Sequence, residues 1–174
     1  NITDIQQPGN LPADQALQTV DDLDLNLTGL YANLDIQDQM YTSTIRTDEV
    51  TVGPGNGGQG LGGQYTWVMN ASSDIAAAAW NSGYSSINEL NRFLQAAQDI
   101  EPESNQQGLY NDVVGQAYAM RAFEYFKLIS FFSADITDNS SMGVPTFTDV
   151  PGIDAQPTRN TTGETFQRIL DDIS

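Results

Sequence analysis

Tyr65, Trp67 and Asn70 are the residues whose types and spacing suit chemistry, and that chemistry is recognition rather than bond making. An indole or phenol face packs on the C–H face of a sugar ring, while an amide three residues away takes a hydroxyl. All three lie between a glycine-rich stretch and the start of a helix, where a ligand can reach them. An aromatic in that place can instead pin the chain to the core, and this is the commoner outcome because aromatic side chains are largely buried. Both readings stay open in the sequence.

Bond-making chemistry has little to work with. The chain has no Cys and no His, which removes thiol nucleophiles, imidazole bases, disulfides and most transition-metal sites. Two carboxylates would suffice for glycoside hydrolysis, but Asp21, Asp22 and Asp24 fall on the polar side of a helix, and Asp48 and Glu49 are neighbours whose side chains point apart. Asp22-x-Asp24-x-Asn26 starts like a calcium loop, yet Leu27 stands where glycine is required and Asn33 where a bidentate Glu is required. Asp135, Asp138 and Asn139 read as a surface turn. Residues 53–63 hold seven glycines in eleven positions, but no Lys follows in the phosphate-binding place, so the stretch reads as a flexible loop. The sequence therefore predicts no catalytic group, no metal and no cofactor.

Four helices must position whatever binds. Leu17, Val20, Leu23, Leu27, Leu30, Tyr31 and Leu34 recur at three- and four-residue steps and predict a helix over 13–34, with Pro12 in its first turn. Ser72 or Ser73 caps a second helix reaching Gln98, with Ile75, Ala79, Trp80, Tyr84, Ile87, Leu90, Asn91 and Leu94 on one face. That spacing marks Trp80, Tyr84 and Ile87 as core, and a buried Asn91 amide must find partners in a neighbouring loop. A third helix over 106–132 is apolar around most of its circumference, including Phe123 and Phe126, and must be covered on several sides. Arg121, Glu124 and Lys127 are expected to pair along its polar edge, with Arg121 reaching an acidic group or a helix-end carbonyl. After a long connection over 134–160, Thr161-Thr-Gly-Glu164 has capping-box spacing and opens a fourth helix, which has no further element in the chain to pack on.

The 174 residues make one domain, with 39% hydrophobic content. Twenty-three Asp and Glu face six Lys and Arg, for a net charge of −17. Such a field repels phosphate backbones and anionic headgroups, which argues against nucleic acid and against direct electrostatic membrane binding. It also suits a salt-rich setting and predicts stability that rises with salt. No apolar run approaches the roughly 20 residues of a membrane-spanning helix. Residues 1–12 read as a polar lead-in that tethers a domain, and 13–174 as the domain itself, cut short at its C-terminal end.

A resemblance rests on several motifs in order. They are Thr47-Asp48-Glu49, then Trp80-x3-Tyr84-x2-Ile87-x3-Asn91, then Ala117-x3-Arg121-Ala122-x2-Tyr125-Phe126-x-Leu128. Gly143-Val144-Pro145 follows, with Arg159 ahead of Thr161-Thr162-x-Glu164, and Ile169-x2-Asp172-Ile173 at the end. In these the chain resembles the SusD/RagB family of outer-membrane nutrient-binding lipoproteins. The resemblance implies an all-α scaffold with tetratricopeptide-like helix pairs and long surface loops. Trp80, Tyr84, Ile87, Asn91, Arg121, Pro145 and Arg159 are then scaffold positions, and Asp48 joins Tyr65, Trp67 and Asn70 as a candidate ligand contact. It further implies a non-catalytic, cell-surface role holding an oligosaccharide or other nutrient for a SusC-like TonB-dependent transporter, with a lipid anchor upstream of Asn1. The alternative is a tetratricopeptide-like interaction module binding a peptide or partner helix.

Overall fold

The computed structural model describes residues 16–34, 40, 43–51, 53, 55, 65, 66, 68 and 74–174. Its main elements are helices α1 (Val20–Ala32), α2 (Asp74–Gln98), α3 (Gln107–Phe132) and α4 (Thr162–Ile173). Among the described residues there is no strand beyond one antiparallel bridge, Met142 to Thr161. The chain is all-α.

α1 begins later than its apolar pattern suggests. The Thr19 side chain accepts from the Asp22 N–H at 3.2 Å, and the Asp22 carboxylate accepts the Thr19 N–H at 3.0 Å. This reciprocal box satisfies two orphan donors and sets the start at Val20. Pro12 and the residues up to Gln15 lie outside the described residues. Val20, Leu23, Leu27 and Leu30 form the buried stripe. Tyr31, expected in that stripe, is instead exposed and gives its hydroxyl to Gln116 of α3 at 2.8 Å.

α2 and α3 form an antiparallel pair with a core at each end. The C-terminal half of α2 (Leu90, Phe93, Leu94, Ala97) meets α1 and the N-terminal half of α3 (Val113, Ala117, Met120) in a wholly apolar cluster. At the other end Trp80, Tyr84 and Ile87 meet Ala122, Tyr125, Leu128 and Ile129, joined by Val144 and by Phe166 and Ile169 of α4. A Cβ at Gly83 would lie 2.9 Å from Leu128, so glycine is what lets the two helices close at this crossing. Ala79, expected on the buried face of α2, is exposed, and Ser72 and Ser73 lie outside the described residues.

α3 reverses the sequence expectation for its charges. Arg121, Glu124 and Lys127 are buried, at 3%, 0% and 9% exposure, while Phe123 and Phe126 stand 38% and 48% exposed. The reason is geometric: α1, α2 and α4 all pack on α3, and the direction left open carries Asp112, Ala119, Phe123, Phe126 and Ser130. Glu124 and Lys127 pair one turn apart at 2.8 Å, and Arg121 points toward α4 instead of joining them.

The connection from α3 to α4 folds back on itself. The Gly143 N–H donates to the Asn160 carbonyl at 2.9 Å, and Thr162 N–H to Ser141 at 2.8 Å. A Cβ at Gly143 would fall 2.7 Å from both the Thr161 carbonyl and the Thr165 hydroxyl, so no other residue fits there without movement. Asp135 and Asp138 close surface turns by accepting from Thr137 and Ser140. Residues 151–159 project as an exposed loop with Ile153 fully in solvent. The Thr161 and Glu164 box then starts α4, which does find a partner within the chain: Thr162, Thr165, Ile169 and Asp172 bury against α3 and the strap before it.

Candidate functional site

The side chains at the far end of the α2/α3 pair converge on one segment, 143–149, which lies as a strap beside both helices. The Tyr84 hydroxyl donates to the Pro145 carbonyl at 2.8 Å. Tyr125 both donates to the Phe147 carbonyl at 2.9 Å and accepts the Phe147 N–H at 2.6 Å. The Asn91 amide donates to the carbonyls of Phe147 and Asp149, at 3.4 and 2.9 Å, while its oxygen accepts from Arg121 at 2.6 Å. Strap backbone that would otherwise be buried unpaired is thereby satisfied by side chains of two helices.

Arg121 ties this strap to α4. Its Nε and Nη2 donate to the two carboxylate oxygens of Asp172 at 2.9 and 2.6 Å, and Nη1 reaches the Thr148 carbonyl at 3.5 Å. Arg168 also bonds Asp172, whose side chain has no exposed surface. A bidentate, fully enclosed pair of this kind is directional as well as strong. Arg159 closes the other end of the connection, donating to the Phe132 carbonyl at 3.1 Å with its guanidinium 5.3 Å above the Trp80 ring. Trp80 in turn sits 4.8 Å from Tyr84 and edge-on to Phe132 at 5.0 Å.

The electrostatics follow from burial. Burial pushes the Tyr125 phenol up to about 12, and burial together with the neighbouring Tyr125 raises Tyr84 well beyond the usual phenol range. Both hydroxyls therefore stay protonated and remain donors to the strap. Asp22, Asp135 and Glu164 are held below the usual carboxylate range by hydrogen bonds led by Thr19, Thr137 and Thr161 respectively. The buried carboxylates Glu124 and Asp172 each pair with a cation, Lys127 and Arg121 respectively.

The structure thus gathers Trp80, Tyr84, Ile87, Asn91, Arg121, Pro145 and Arg159 around one strap. Sequence reasoning missed Tyr125 and Asp172 as members of this network, although both stand in the motifs quoted above; four-residue spacing from Arg121 was the available signal for Tyr125. The candidate ligand residues lie elsewhere. Asp48 is exposed in the turn after the helical residues 43–45, beside Arg46, whose guanidinium sits 5.8 Å over Phe131. Tyr65 is 38% exposed, with its hydroxyl 3.3 Å from Thr51 Oγ1, three residues beyond Asp48. Trp67 and Asn70 lie outside the described residues.

Known structures share this fold. The chain is similar to a SusD superfamily protein from Bacteroides thetaiotaomicron (23% identity, TM-score 0.74, 88% of this chain and 36% of that one). It is similar to another from Bacteroides fragilis (19%, TM-score 0.75, 90% and 38%). A SusD-like carbohydrate binding protein from Bacteroides vulgatus also matches (18%, TM-score 0.67, 89% and 34%). The chain spans little more than a third of each, and all share its tetratricopeptide-like helical architecture. No curated protein matches it. With residues 3–174 matching the SusD-like family model described as starch-binding and associating with the outer membrane, the chain belongs to that family.

Proposed function

We propose that this chain is the helical part of a non-catalytic glycan-binding protein, displayed on the cell surface by an upstream lipid anchor and serving a SusC-like TonB-dependent transporter. The observation that carries the reading is the family match over residues 3–174, joined to a scaffold whose buried charges are neutralised. The strap network supports a rigid platform role, since a receptor loses less on binding when its backbone is already held. Tyr65 offers a partly exposed phenol face, and Asp48, Trp67 and Asn70 are its proposed partners in ligand contact.

The test is glycan binding by the full-length protein with Tyr65→Ala and Trp67→Ala. Each change is expected to weaken binding by about tenfold, the effect of losing one stacked ring worth about 1–1.5 kcal/mol. Unchanged affinity in both variants would move the ligand site off this segment, and a full-length protein that binds no glycan and never co-purifies with a barrel would end the proposal. One observation favours a second reading: the exposed Phe123 and Phe126 of α3 suit a protein partner. Phe126→Ser, which leaves glycan binding alone but abolishes partner capture, would identify that contact.

A further inference from the structure

Five of the chain's six cations are engaged by other groups of the fold, and the sixth, Arg92, is exposed. Arg121 and Arg168 hold Asp172, Lys127 holds Glu124, and Arg159 bonds the Phe132 carbonyl and covers Trp80. Arg46 lies over the Phe131 ring. The carboxylates divide the other way: among the described residues Glu124 and Asp172 are the buried ones, and every other Asp and Glu whose side chain is described reaches solvent. The surface is thus acidic with little opposing charge, chiefly Arg92 and Arg159, while the ion pairs of Arg121, Lys127 and Arg168 all end on carboxylates with 0% side-chain exposure.

From this segregation we infer that the fold uses dissolved salt as a stabilising partner, gaining continuously up to molar concentration. Repulsion between exposed charges is screened as the Debye length falls from about 10 Å at 0.1 M to about 3 Å at 1 M, whereas buried pairs are screened far less. A protein with many exposed ion pairs loses attraction as it loses repulsion, and the two effects offset each other. Here salt removes mainly repulsion. The opposing losses are fewer, and include those of carboxylates at helix starts such as Asp22 and Glu164. The inference concerns the fold and stands apart from which ligand is bound.

Thermal unfolding of the full-length protein between about 0.05 and 1 M NaCl at pH 7 tests it. The midpoint should climb without a maximum, by about 4 °C or more. Repeating the series near pH 4, close to this chain's own sequence pI of about 4.1, should at least halve the slope, because the net repulsion within the chain is then gone. A triple variant, Asp24→Lys, Glu101→Lys and Asp154→Lys, removes three exposed carboxylates and moves this chain from −17 to −11 (six charges added). It should also show a shallower slope at pH 7. A flat or falling midpoint at pH 7 overturns the inference, and so does a triple variant with an unchanged slope, which would mean that salt acts on apolar surface instead. The variant decides the matter even if the protein does not fold at the lower pH.

Discussion

The two ends of the α2/α3 pair are built on different physics. The buried side chains that close the end holding α1 are all apolar, from Val20 and Leu27 to Phe93 and Met120, with the Tyr110 phenol at the edge donating to the Ala97 carbonyl. The end that holds α4 buries an arginine, a carboxylate, an amide and two phenols among its apolar side chains. Apolar packing is non-directional and tolerates rearrangement. A satisfied polar network tolerates none, so it fixes which backbone lies where. The contrast shows a single helix, α3, serving as plain core at its start and as a template for an irregular strap at its end.

The contrast breaks most severely at Arg121. Arg121→Met leaves Asp172 enclosed with one cation fewer and should cost about 3–5 kcal/mol, read as a fall in urea midpoint. Restoring much of that loss by adding Asp172→Leu would show that the penalty is the stranded charge rather than lost packing. Leu23→Ala at the apolar end should cost about 2–5 kcal/mol through its cavity alone. Near-UV circular dichroism from the strap aromatics should survive Leu23→Ala and vanish with Arg121→Met.

Tyr125→Phe is a finer probe, removing both hydrogen bonds to Phe147 for about 1–3 kcal/mol. It should also change the alkaline limb. A phenol at about 12 when folded and 10.0 when free binds its proton more tightly in the native state. Its contribution is therefore complete below pH 10 and drains away as pH rises toward 12. Unfolding against pH should show this loss in the parent and less of it in Tyr125→Phe; identical curves would remove Tyr125 from the account. The smallest effects belong to the caps. Thr19→Ala and Thr161→Ala should each cost about 1 kcal/mol by chemical denaturation, one at each end of the pair.

Helix existence was legible in the sequence because Leu23, Leu27, Leu94 and Ile169 recur at the helical period. The Thr161 and Glu164 start was legible for the same local reason, a box four residues long. What escaped was the start of α1, where an apolar stripe beginning at Leu17 overshadowed the Thr19 and Asp22 box. The orientation of α3 escaped as well. A helix apolar nearly all round does not say which direction its neighbours leave open, so Phe123 and Phe126 looked internal and Lys127 looked external. The pairing of Arg121 with Asp172 spans 51 positions and depends on α4 returning to α3, which no local pattern encodes. For the ligand site, spacing identifies Tyr65 and Trp67 as candidates but cannot decide between a stacked sugar and an anchored ring.

The projecting loop at 151–159 has a practical use. Its approaches are fastened on both sides, by Asn91 at Asp149 and by Arg159 at Phe132, so extra chain length inserted beside Ile153 costs little closure entropy and disturbs neither fastening. An epitope tag or a fluorophore attachment point spliced there would test the proposed surface display on living cells while leaving the helices as they are.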